Sequence, residues 1–146
     1  MNWIVRFLAT GFFVSHLTPA PGTAGTVVGL LLYLLLPTTP QFYWLFLIFL
    51  IIAGTWISSL AENIFGETDS PLIVIDEICG FFVCMAFLPK KFGLVVLGFL
   101  LFRLGDIRKL YPVKRIQALA GGVGVMADDI FVGVMVNIIL HVIHWL

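Results

Sequence analysis

Long apolar stretches alternate with short polar interruptions along this chain, and residues 7–61 and 130–146 contain no Asp, Glu, Lys or Arg at all. Residues 3–18 are apolar with Arg6 and His16 near the two ends, a pattern that predicts an amphipathic helix lying in an interface rather than a span. Pro19, Pro21, Gly22 and Gly25 break that segment and open a helix over about 23–36, which Pro37 and Pro40 stop. The next helix covers about 42–60, close to the roughly 20 residues that cross hydrocarbon. Tyr43, Trp44 and Trp56 sit toward its ends, as interfacial aromatics do. A polar loop at 61–71 precedes further helices expected at 72–88, 92–104 and about 128–146. The fold class is therefore all-α: a polytopic membrane helix bundle forming a single domain over 1–146, with about five spans plus an N-terminal interfacial helix.

Composition strengthens this expectation. Hydrophobic residues make up 61% and charged residues 11%, well outside the profile of a soluble globular chain. A water-soluble protein of 146 residues could not bury so much apolar surface, so lipid must cover part of it. No small-residue cleavage site follows Met1–Arg6, so a cleavable signal peptide is not expected. The formal net charge of zero gives no electrostatic case for nucleic acid. Cys79 and Cys84 lie in an apolar run without a CxxC pair or a nearby His, which suits two lipid-embedded thiols better than a metal site or disulfide. His16, His141 and His144 read as interfacial polar tips rather than ligands.

Where the charges fall changes the picture most. The segment from Arg103 to Asp129 holds eight of the sixteen charged residues: Arg103, Asp106, Arg108, Lys109, Lys114, Arg115, Asp128 and Asp129. Asp76 and Glu77 add an adjacent acid pair inside an apolar helix, where ionisable groups are costly and normally face a partner or a wet cavity. If all five predicted helices cross, the Pro19–Thr26 turn, the Asp76–Glu77 pair and the Arg103–Asp129 segment share one side of the membrane. Lys90 and Lys91 fall on the other, and the positive-inside rule then puts the polar side in the cytoplasm.

Paired carboxylates offer the hard oxygen ligands that Mg²⁺ takes together with water and a substrate phosphate. Such a cation can polarise a phosphoryl oxygen and activate water. Arg108, Lys109, Lys114 and Arg115 would hold the phosphate, although attraction to anionic headgroups accounts equally for one or two of them. Gly121, Gly122 and Gly124 would let backbone amides approach the anion, as would the amides of a helix starting near Thr23 and Thr26. There is no Cys-x5-Arg motif and no His placed as a phosphoryl acceptor, which favours metal-activated water and leaves an aspartyl-phosphate route open.

The chain resembles the phosphatidylglycerophosphatase A family along nearly its whole length. The resemblance rests on Pro21-Gly-Thr-Ala-Gly-Thr26, on Asp69 followed by Ile73-Val-Ile-Asp-Glu-Ile-Cys-Gly80, on Phe102-Arg-Leu-Gly-Asp-Ile-Arg-Lys109, and on Gly121-Gly-Val-Gly-Val-Met-Ala-Asp-Asp129 with Gly133. One departure is Leu110, where the family usually has proline; here proline comes at Pro112. The resemblance implies Mg²⁺-dependent hydrolysis of phosphatidylglycerol phosphate to phosphatidylglycerol and phosphate at the bacterial inner membrane, with a phospholipid substrate and no obligate protein partner. Asp76, Glu77, Asp128 and Asp129 match its acidic motif positions, Asp106 and Lys109 its D-x-x-K, and Thr23, Thr26 and Asp69 its lesser ones. On this basis the expected catalytic residues are Asp76, Glu77 and Asp129, with Glu77 or Asp76 activating water. The expected metal ligands are Asp76, Asp106, Asp128 and Asp129, and the expected phosphate-binding residues are Thr23, Thr26, Arg103, Lys109 and Arg115. Two other classes stay open: a cation-coupled transporter, which the buried acid pair would suit, and a non-catalytic lipid-binding scaffold, which would explain the bases but not the acids.

Overall fold

A computed structural model describes residues 2–37, 39–108 and 121–146. Among these residues there are six α-helices and no strand, as expected: α1 (Asn2–Ala9), α2 (Pro21–Leu35), α3 (Pro40–Phe65), α4 (Ile75–Cys84), α5 (Phe92–Arg108) and α6 (Gly122–Trp145). A short 3-10 turn, Val14–Leu17, follows α1. Proline at the first position of α2 and of α3 supplies a ready-set φ where the missing N–H has no partner to lose. Gly66 ends α3 in a left-handed conformation, its N–H donating to Glu62 O.

At the centre stands α4, with α6, α2, α3 and α5 packed around it. All but one of its ten residues are buried. Tyr33 meets Phe81 and Phe82 edge-on beside it, and the Tyr43 hydroxyl donates to Phe82 O at 2.6 Å. Asn137 of α6 donates to Cys84 O and Ala86 O at 2.9 and 3.0 Å, satisfying carbonyls that the end of α4 leaves open. Cys79 and Cys84 are free thiols, as expected, but they are buried within this core rather than set in lipid.

The outer surface is apolar. On α3 Leu45, Ile48, Phe49, Ile52 and Trp56 are exposed; on α5 Phe92, Val96, Leu100, Leu104 and Ile107 are. On α6 the stripe is Met135, Ile138, Ile139 and Val142. Stripes at helical spacing facing away from a filled core need an apolar covering. Of the five expected spans, two helices, α3 with 26 residues and α6 with 24, are long and apolar enough to cross a membrane. The ten residues of α4 cover only about 15 Å and the 15 of α2 about 22 Å, both short of roughly 30 Å of hydrocarbon.

Element boundaries differ from the expected ones in five places. The expected loop at 61–71 is helical as far as Phe65, and the expected helix 72–88 contracts to Ile75–Cys84. Helix α5 continues to Arg108, which puts Arg103 and Asp106 on a helix. Helix α6 begins at Gly122, so its carboxylates lie two turns in rather than at its start. The interfacial helix expected over 3–18 is broken at Gly11, Phe12 and Phe13, whose φ values are 57°, 62° and 66°. There Val74 N–H donates to Ala9 O at 2.8 Å, so α1 steadies the backbone just ahead of Asp76.

Candidate active site

Four helices and one loop close around a cavity of about 260 Å³. Its wall takes Pro21 and Gly22 from the first turn of α2, Asp76 and Glu77 from the first turn of α4, Arg103, Asp106 and Ile107 from the end of α5, and Asp128 and Asp129 from α6. The loop before α4 contributes Asp69, Ser70, Pro71 and Ile73. The three polar segments that are far apart in sequence thus meet in one place.

Close packing of backbones makes this convergence possible. Gly80 lies one turn after Asp76, and an added Cβ there would come within 2.8 Å of Asp129 O. Gly122 starts α6 against α3: its N–H donates to Ser59 Oγ at 2.9 Å, and a Cβ would strike Thr55 O. Of the glycines expected to cradle phosphate in a loop, Gly122 lets the start of α6 sit against α3. Ser59 caps α6 from another helix, because the preceding Gly121 has no side chain to do so.

Asp76, Glu77 and Asp129 each offer an oxygen, and these atoms lie within 4.8 Å of one another. Asp76 and Asp129 are 8% and 3% exposed. Burial, followed by the charge of Asp129, pushes the Glu77 carboxyl up to about 8. Asp76 Oδ1 and Glu77 Oε2 are buried with no hydrogen-bond partner. Buried carboxylate oxygens left without donors and crowded by like charge fit a divalent cation, which supplies what the protein withholds.

Arg103 Nη1 donates to Asp106 Oδ2 at 2.5 Å and to Thr26 Oγ1 at 3.3 Å. Thr26 is fully buried and donates in turn to Gly22 O at 2.9 Å. The guanidinium therefore links the start of α2 to the end of α5 beside Glu77. Of the expected metal ligands, Asp76 and Asp129 share the tight group with Glu77, while Asp128 and the Arg103-bound Asp106 line the same cavity. Thr23 lies half-buried on α2 and outside the cavity wall. Lys109 and Arg115, with Lys114, fall outside the described residues. Ser70, Pro71 and Ile107 belong to the wall without having been expected there, and nothing in their types or spacing marks them.

The phosphatidylglycerophosphatase A family profile matches residues 7–144. The chain belongs to that family. It is a phosphatase. It is similar to proteins named phosphatidylglycerophosphatase A from Escherichia coli, 34% identical over 96% of this chain and 84% of that one, and from Haemophilus influenzae, 30% identical over 97% and 89%. A protein from Bacteroides thetaiotaomicron, provisionally named as a phosphatidylinositol-3-phosphatase, is 33% identical over 99% of this chain and 96% of its own. No solved structure matches the chain.

Proposed function

We propose that this protein hydrolyses phosphatidylglycerol phosphate to phosphatidylglycerol and inorganic phosphate, with Mg²⁺ held by Asp76, Glu77 and Asp129. One observation carries the reading: among the described residues the cavity wall has six acidic side chains, Asp69, Asp76, Glu77, Asp106, Asp128 and Asp129, against the single base Arg103. An anionic phosphate would be repelled from such a wall unless cations entered with it. The relatives named phosphatidylglycerophosphatase A support the choice of lipid.

Mg²⁺ bound there supplies Lewis acidity toward the phosphoryl oxygens. The chain's own residues do the rest. Glu77 or Asp76 accepts a proton from the attacking water; the ester P–O bond breaks; and the proton passes to the departing glycerol oxygen. Arg103, fixed by Asp106 and Thr26, offsets charge on the phosphoryl group. Lys109 and Arg115 are proposed as further phosphate partners. Asp106 and Asp128, at the edge of the acid cluster, are proposed as additional cation ligands. The membrane-embedded bundle is proposed to be multi-pass in the bacterial inner membrane with this end toward the cytoplasm. The bases Arg103 and Arg108 at that end, with Lys109, Lys114 and Arg115 next in sequence, support this orientation.

The test is phosphate release in detergent from phosphatidylglycerol phosphate, with Mg²⁺ or EDTA, for wild type and Asp129→Asn. Release that needs Mg²⁺ and vanishes in the variant supports the reading. Folded wild type that stays inert with every divalent cation removes it. The Bacteroides relative's name motivates a second substrate in the same assay, phosphatidylinositol 3-phosphate. Faster turnover of that lipid would reassign the headgroup and leave the chemistry.

A further inference from the structure

Most of the cavity wall is polar, but Ile107 is 68% exposed and belongs to two surfaces at once. It closes the site, and it is the last member of the outward stripe Phe92, Val96, Leu100, Leu104 on α5. The neighbouring wall residue on α2, Pro21, is half-buried, and the outward side of that helix continues as the exposed Val27, Leu31, Leu34 and Leu35. The Arg103–Thr26 hydrogen bond ties α2 to α5 beside the acids. Immediately after each of these two residues, Leu104 and Val27 are 46% and 41% exposed. The polar tie is therefore flanked by exposed apolar side chains, a seam along which α2 and α5 touch each other less than α2 touches α4 or α5 touches α6.

We propose that this seam receives the acyl chains of the lipid substrate, so that substrate enters sideways from the bilayer between α2 and α5. The proposal rests on the lipid-phosphatase reading above and adds where the rest of the molecule lies. In this substrate the terminal phosphate is joined through a headgroup glycerol and a phosphodiester to a second glycerol, which carries the two hydrocarbon chains. With its terminal phosphate among Asp76, Glu77 and Asp129, the headgroup glycerol and phosphodiester lead out past Pro21 and Ile107 to the diacylated glycerol. The chains then continue on to Leu104, Leu100 and Val27 without leaving an apolar surface. Entry from water would instead require every methylene to leave the bilayer first. The side chains that meet hydrocarbon here are apolar and carry no hydrogen-bonding group that would require a different ligand.

Leu104→Asn and Val27→Asn test it, with Met135→Asn on the outward face of α6 as the control. Each is assayed on dioleoyl phosphatidylglycerol phosphate and on the deacylated, water-soluble glycerophosphoglycerol phosphate. The expected result is a fall of about tenfold in kcat/KM for the dioleoyl lipid in both seam variants, carried by KM, with the deacylated ester and the control unaffected. Equal losses on both esters, no loss on either, or the same loss in Met135→Asn would overturn the seam. Photolabelling wild type with a phosphatidylglycerol phosphate bearing a diazirine in one acyl chain gives a readout independent of turnover. Label on the peptide spanning residues 92–108 that excess dioleoyl substrate displaces is expected; its absence, or label that is not displaced, overturns the proposal. Wild type inert on both esters is a different failure, that of the substrate reading itself.

Discussion

Gly133 on α6 lies directly against the carbonyl of Gly80 on α4, so closely that a Cβ on Gly133 would collide with it. Each glycine is four residues beyond a carboxylate, Asp129 and Asp76, so the contact fixes the two acids across from each other one turn away. Helix propensity alone predicts that Gly133→Ala stabilises α6 by about 1 kcal/mol. The crossing predicts the opposite: lower thermal stability, and a loss of phosphate release of at least about tenfold as the acids move apart. A thermal scan and the phosphate assay on one sample separate the two.

Crowding three acids in a buried site costs stability when no cation is present. In EDTA, Asp129→Asn is therefore expected to unfold at a higher temperature than wild type, by about 2–8 °C for each 1 kcal/mol of relieved repulsion, while losing activity. Melting the two proteins side by side checks this, and a lower melting temperature for the variant would count against repulsion as the dominant effect.

Cation binding should reverse that order. Mg²⁺ at 100 times its dissociation constant stabilises a protein that binds only when folded by about 2.7 kcal/mol. Wild type should rise in melting temperature as Mg²⁺ is titrated in, and Asp76→Asn should respond weakly or not at all. Equal responses would place the cation elsewhere.

Arg103→Lys keeps the charge but loses the planar fork that reaches Thr26 and Asp106 together. Its expected effect is a fall in kcat of about 10- to 100-fold with the fold intact. Thr26→Val, which removes only one acceptor, should fall between this variant and wild type. Steady-state kinetics of the pair, with circular dichroism to verify folding, tests the ordering.

Ser59→Ala removes the hydroxyl that receives Gly122 N–H and is expected to cost about 1 kcal/mol. Faster hydrogen exchange at the Gly122 amide would localise the effect to the start of α6.

The helical character of the chain and the identity of the acids were legible because an apolar chain leaves few places for charge, and the charges that occur there are informative. The lengths of the helices were not. Residues 72–88 are as apolar as a span, yet only Ile75–Cys84 is helix, because a helix surrounded by protein and one surrounded by lipid have the same composition. Gly121, Gly122 and Gly124 looked like a phosphate loop for a related reason: glycine is a helix breaker in isolation, but where Gly122 touches Thr55 and Ser59, close packing decides. Ser59 left no mark in sequence at all, since its partner is 63 residues away.

The hydroxyl of Ser59 also sets a depth. Gly122 opens α6 against it, and Asp129 follows seven residues later, about 10 Å farther along the axis. On the reading proposed above, a phosphate that meets this carboxylate would lie about two turns of helix below the start of α6. A cation held by Asp76, Glu77 and Asp129, as proposed above, would gather positive charge at that depth and draw the anion inward. The acids would then act less as the anion's opponents than as its lure, and α3, which contributes none of the described residues of the cavity wall, would set how far down that lure lies.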